Sequence, residues 1–379
     1  MSVGARNGRI DLIRGVSIVL VLLHHFSIAY RLDDTLPSRV LGREVVHAVV
    51  RNGNYAVTMF FVVSGFLITA NAQARWGELR GIDARAFYRL RVARIAPCLL
   101  LLLVVVNALA GLGVGIFADH PEGGPPVPLW LVDVASLTLW MNVLLATPAG
   151  WVNYALGVLW SLSVEEVFYL SFPLACLVLR RPVLLAAFWA VFVVAGPVWR
   201  AFHQDDEAQF LYAYLASFDG VAIGCCTALL ARRWTPGGRW AGVAGPVVAV
   251  AMAVLYLAAS IADTNVWGVT LMALGTAFLL LLAGRRAPGV AAPRRRVAPA
   301  LEWCGRLSYE LYLFHLVVLG LVRTAFPPPQ VAGDATLVLL GVFLALSALL
   351  AAVVAATFSG PLNRALRPST GSARTAAAA

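Results

Sequence analysis

Ten stretches of almost unbroken apolar sequence leave this chain few ways to fold. They lie at 10–30, 55–73, 95–118, 158–179, 182–199, 210–231, 240–262, 265–283, 307–326 and 335–358. Each approaches the roughly 17 to 25 residues that a helix needs to cross the hydrocarbon core of a bilayer. The expected fold is therefore all-α: a polytopic transmembrane bundle of about ten spans. Of the 379 residues 60% are hydrophobic and only 13% charged, a mix that excludes a soluble domain with an ordinary surface. The net charge of +10 needs no nucleic acid to explain it, because the 29 basic residues sit mostly in short loops.

Those loops set the expected orientation. The segment from Gln73 to Arg94 carries Arg75, Arg80, Arg85, Arg89, Arg91 and Arg94, which places it and the N-terminus on the cytoplasmic side. An eleventh apolar piece, "LWLVDVASLTLWMNVLLA" at 129–146, holds Asp133 and Asn142. If it stays on the outer side as a re-entrant or interfacial segment, the clusters Arg180/Arg181, Arg232/Arg233/Arg239, Arg285/Arg286/Arg294/Arg295/Arg296 and Arg364/Arg367 all fall inside. Both termini are then cytoplasmic, in a bacterial inner-membrane protein that crosses many times. Arg6 and Arg9 precede the first span without a small-residue cleavage site, so that span reads as retained. Residues 1–366 read as one transmembrane domain and 367–379 as a disordered tail. Cys98, Cys176, Cys225, Cys226 and Cys304 lack metal or disulfide spacing and read as small buried hydrophobes.

Against this background the polar residues inside spans stand out. "IDLIRGVSIVLVLLHHF", 10–26, places Arg14 and His25 eleven residues apart, on one helix face and about 16 Å apart along the axis. His24 points elsewhere. Arg14 can also snorkel to the interface, and His25 can satisfy a hydrogen bond within the bundle. "LWSLSVEEVFYLSFPL", 159–174, carries Ser161, Ser163, Glu165 and Glu166, with Glu165 expected near the level of His25. "FFVVSGFLIT", 60–69, offers Ser64 and Gly65, a small pair that admits a ligand or a neighbouring helix. "GRLSYELYLFHLVVL", 305–319, adds Ser308, Glu310 and His315, and "FDGVAIG", 218–224, adds Asp219. "FYRLRVARIAPCLL", 87–100, is an arginine ladder in which Arg91 and Arg94 share a face. Guanidinium forks suit phosphate, although the same residues serve as ordinary cytoplasmic anchors.

Taken in order, the first-span Arg-x10-His, "FFVVSGFLIT", "FYRLRVARIAP", "LWSLSVEEVFYL" and "GRLSYELYLFH" resemble the acyltransferase-3 family of bacterial membrane O-acyltransferases, over nearly the whole chain. The resemblance implies transfer of an acyl group, usually acetyl, from acyl-CoA to a hydroxyl of a surface glycan, a lipid-linked saccharide or a secreted metabolite such as a macrolide. It implies acetyl-CoA as co-substrate with no permanently bound cofactor and no metal, and the bilayer as the other partner. The family's motif residues match Arg14, His25, Arg91 and Arg94; Val167 stands where the pattern has glutamine. Some members carry an esterase-like domain after the membrane part, and none is expected here.

The expected mechanism docks the CoA phosphates on Arg89, Arg91 and Arg94 with Arg14 just inside, and threads the pantetheine arm toward His25. His25 would act as general base, with Glu165 or Glu166 orienting the imidazole, or would carry a transient acyl group. Ser64, Ser161, Ser163, Asp219 and His315 are expected to line the substrate path. Trp130, Trp140 and Trp151 can stack on sugars or simply mark the interface. A proton-coupled transporter, whose intramembrane charges would form a pathway, is the alternative from another class.

Overall fold

The computed structural model describes residues 7–118, 127–147, 150, 152–234, 236–237, 240–283 and 298–367. Arg6, Trp151, Arg239, Arg285, Arg286, Arg294, Arg295, Arg296 and the tail beyond 367, on all of which sequence expectations fell, lie outside the described residues. Every regular element among the described residues is helical. Ten helices form the bundle: α1 (Gly8–Ala29), α2 (Gly53–Trp76), α3 (Ala84–Gly111), α4 (Leu159–Leu179), α5 (Pro182–Phe202), α6 (Tyr214–Ala231), α7 (Trp240–Ala258), α8 (Gly268–Ala283), α9 (Ser308–Ala325) and α10 (Ala335–Val354). Eight are long and apolar enough to cross a membrane, and α9 makes a ninth together with the short helix Ala298–Arg306 before it, from which it bends by 83°. The remaining helix, α8, has 16 residues.

Helix ends follow their capping groups rather than the limits of apolarity. The Asp83 carboxylate caps α3 by accepting from the Ala86 amide at 3.0 Å, so the helix starts eleven residues before its expected span and includes the whole arginine ladder. At its far end α3 stops at Gly111, and Gly113 turns the chain with φ +82°. The piece at 129–146 is two short helices, Leu129–Leu137 and Met141–Leu145, broken at Leu139 with φ +69°. Asp133 accepts from the Asn107 amide, and Asn142 donates to the Tyr212 carbonyl at 3.1 Å. A continuous span there is excluded. Residues 31–54 fold into two further short helices, Leu36–Leu41 and Arg43–Val50. Asp334 ties this segment to the start of α10: the Leu36 amide and Arg39 both donate to its carboxylate and hold its pKa below the usual range.

Outward faces are apolar. On α10, Val338, Val342, Leu346, Leu349 and Val353 repeat at helical spacing and are exposed, as lipid-facing residues are. Without a hydrophobic force between helices in lipid, close approach has to come from small residues. Gly65 on α2 and Gly224 on α6 supply it: a β-carbon at either would strike the Val221 or Val62 carbonyl oxygen. The second such contact joins α1 to the Ala298–Arg306 helix, where Gly15 faces the Leu301 carbonyl and Gly305 faces the Asp11 carbonyl with no room for a side chain. All five cysteines are free, and Cys98, Cys176 and Cys225 are buried.

Substituting Gly305→Ala should lower the unfolding free energy by about 1–3 kcal/mol, the usual cost of overpacking. Gly341→Ala, inside α10 at a site with no atom within 4 Å of the added carbon, should not lower it and should raise it by up to about 1 kcal/mol. Thermal unfolding of the detergent-purified variants measures both.

Candidate active site

On α9, Ser308, Tyr312 and His315 fall at i, i+4 and i+7 and so share one face. That face meets the polar face of α1 at both of its ends. Arg14 donates to the Ser308 hydroxyl at 2.8 Å and lies 3.9 Å from Asp11. Eleven residues on, His25 Nδ1 lies 3.3 Å from His315 Nε2, with ring centroids 4.9 Å apart. Because both contacts occur in the same order along each helix, α1 and α9 run in the same direction. The rise differs, about 16 Å on α1 against about 10 Å on α9, and the length of the arginine side chain takes up the difference.

A third face completes the arrangement. Ser161, Glu165 and Tyr169 repeat every fourth residue along α4. The Ser161 hydroxyl bonds the Tyr312 hydroxyl at 2.7 Å. The Tyr169 hydroxyl donates to Glu165 at 3.1 Å and, with its one proton so used, accepts from Ser64 on α2. Arg91 lies over the Tyr169 ring, 4.6 Å from its centroid, and Arg94 over Tyr309 at 5.7 Å, both within cation–π range. Glu165 is within electrostatic reach of Arg91 and Arg14. The result is a polar seam between α1, α2, α4 and α9, with arginines at one end and the two imidazoles at the other. Arg14, His25, Ser64, Arg91, Glu165 and Tyr312 are only half-buried, although each makes its contacts inward.

The structure brings together Arg14, His25, Ser64, Arg91, Ser161, Glu165 and His315. It does not place a glutamate on His25, whose hydrogen-bonding partners are the Val21 carbonyl at 3.0 Å and His315. Glu165 lies a turn nearer the arginines than Ser161, and one Glu166 oxygen is buried without a hydrogen-bond partner. Residues 152 and 153 and 155–159, which lead into α4, are themselves buried, so α4 begins inside the protein. His24 turns away, as expected, to the Val50 carbonyl at 2.8 Å. Ser163 accepts from the Met141 amide at 3.2 Å and steadies the short helix there. Arg89 is exposed and points away from the seam, two positions from Arg91 on the helix. Gly65 is occupied by helix packing.

Asp219 sits elsewhere, in a buried ion pair. Arg200 donates to it at 2.6 and 3.2 Å, Thr270 donates at 3.1 Å, and the two charged side chains are 0% and 1% exposed. The cavity beside Asp219, of about 20 Å³, has room for about one water. Arg200 was not legible, since an arginine two residues from a helix end reads as an anchor. Tyr169, Tyr312 and Ser308 were legible as stripes at every fourth residue but carry no motif of their own.

The described residues thus form a helical bundle of membrane-spanning character, with arginines at one end of a polar seam and an imidazole pair at the other. The family model described as an acyltransferase domain matches residues 7–357, and the chain belongs to that family. Among curated proteins it is similar to the O-acetyltransferase OatA of Staphylococcus aureus strain NCTC 8325, 23% identical over 328 residues, covering 79% of this chain and 52% of that protein. The OatA of strain COL matches equally. A further protein of that strain, provisionally named an O-acetyltransferase, is 25% identical over 337 residues, with the same coverage. The chain thus spans about half the length of the curated relatives it matches. No solved structure matches it.

Removing the carboxylate in Asp219→Ala leaves Arg200 buried without its charge partner, and should destabilise the protein by about 3–5 kcal/mol. The double variant Arg200→Met/Asp219→Leu should recover most of that loss in the same unfolding assay.

Proposed function

We propose that this chain is an acyl-CoA-dependent O-acyltransferase of the bacterial inner membrane. It moves an acyl group, acetyl in the first instance, to a hydroxyl of a surface glycan or lipid-linked saccharide on the outer side. The observation that carries this reading is the seam itself: Arg14, Arg91 and Arg94 at one end, a half-buried histidine about 16 Å along α1 at the other, and polar side chains between. Family membership and the O-acetyltransferase relatives support it.

In this reading the arginine end is cytoplasmic and both termini lie there. The CoA phosphates rest on Arg91 and Arg94 with Arg89 at the mouth and Arg14 just inside, where forked guanidinium donors suit phosphate oxygens. The pantetheine arm follows the seam past Tyr169, Glu165, Ser64, Tyr312 and Ser161. This brings the thioester to His25, which takes the proton from the acceptor hydroxyl as that oxygen attacks the carbonyl carbon. The C–S bond then breaks, the acyl group stays on the acceptor oxygen, and His25 returns its proton to the departing CoA thiolate. Glu165 and Glu166 belong to the throat of the passage rather than to the imidazole. In this reading the outer segments 31–54 and 127–147 shape the acceptor entrance.

With acetyl-CoA on one side of proteoliposomes and a panel of soluble glycosides and hydroxylated metabolites on the other, CoA release should depend on an acceptor. Acceptor flux without any acyl donor would instead identify a transporter. His25→Ala should lower acyl transfer at least about 100-fold, in line with loss of a general base; turnover near that of the unsubstituted protein would remove the base assignment. Arg91→Ala should weaken acetyl-CoA binding about tenfold, from the loss of one charge-assisted contact, as read by the dissociation constant.

A further inference from the structure

The two imidazoles at the inner end of the seam constrain each other through partners that can only accept. His315 Nδ1 faces two main-chain carbonyls, Leu311 at 3.1 Å and Tyr312 at 2.8 Å. A carbonyl oxygen has no proton to give, so this nitrogen must carry one. In the neutral ring the other nitrogen, Nε2, is then a bare acceptor, and it is the atom that faces His25. His25 Nδ1 also lies 3.0 Å from a carbonyl, that of Val21 one turn back on its own helix, which favours a proton there without by itself requiring one. Its single N–H is shared between the Val21 oxygen and His315 Nε2. A proton on His315 Nε2 would set two donors against each other across 3.3 Å.

We infer that His315 is the positioning residue that fixes the tautomer of His25, leaving Nε2 of His25 unprotonated and free to accept the hydroxyl proton. This rests on the base role proposed above and deepens it. His25 Nε2 has no hydrogen-bond partner among the described residues, and the side chain is half-buried. When Nε2 takes the proton, the charge spreads over the ring and Nδ1–H becomes a charge-assisted donor to the two acceptors already in place. His315 thus does for His25 what a carboxylate does in a triad, holding the ring and receiving from the cation. It does so without a resting negative charge, and the role expected of Glu165 or Glu166 falls to it. Fixed Nδ1–H donation to the Leu311 and Tyr312 carbonyls prevents His315 from turning its protonated nitrogen toward His25.

The decisive measurement reads the tautomer itself, with no acceptor required. Protein labelled with 15N-histidine in lipid nanodiscs, its His25 signals assigned by comparison with His25→Ala, should show a protonated, pyrrole-like Nδ1 and a bare, pyridine-like Nε2 at His25. His315→Leu should lose that single-tautomer signature and give a mixture of both forms. His315→Gln, whose side-chain oxygen can still accept from His25 Nδ1, should restore it. A proton on Nε2 of His25 in the unsubstituted protein overturns the inference, whether or not the variants fold. So does a single Nδ1–H tautomer persisting in His315→Leu. Acyl transfer by His25→Ala is a separate result that bears on the base role alone.

Discussion

The seam exists because two backbones touch. Gly15 and Gly305 let α1 and the Ala298–Arg306 helix approach to main-chain contact, and the 83° bend at Leu307 then turns α9 to run beside α1. Only with that crossing in place does Ser308 reach Arg14 and His315 reach His25. Lipid offers no hydrophobic drive for helix association, so such contact depends on small residues and on the hydrogen bonds that close approach allows. The polar contacts are consequences of the crossing, and in turn they hold its register.

The spans could be read from apolar length alone, and all ten appear as helices close to their expected positions. Their ends could not, because caps and turns decide them. Asp83 extends α3 through its arginines, and Leu139 divides the segment that apolarity alone would have made an eleventh span. Arg14, His25 and Arg91 were legible because a charge or imidazole inside apolar sequence is conspicuous, and each does face the seam. Pairings across helices were not legible. Asp219 looks as suited to a substrate as Glu165 does, and only the fold shows that Arg200 already occupies it. Burial of 155–159 at the start of α4 likewise leaves no trace in that helix's periodicity.

The protein's two charge systems are arranged differently. Arg200 and Asp219 are sealed together as charge partners, although Arg200 Nε is left without a hydrogen bond. In the seam, charges are held over aromatic faces, Arg91 on Tyr169 and Arg94 on Tyr309, which attract a cation without neutralising it. A guanidinium held in that way keeps its donors for an incoming anion.

At 28 residues α3 is about 42 Å long, well beyond the roughly 30 Å of a bilayer's hydrocarbon core, and the excess includes its arginine turns. Where those turns stand relative to the seam is therefore set partly by the thickness of the surrounding lipid, since a helix longer than its membrane tilts or stretches the bilayer around it. Acyl-chain length in the host membrane thus becomes a physical variable acting on the basic mouth of this protein from outside the polypeptide.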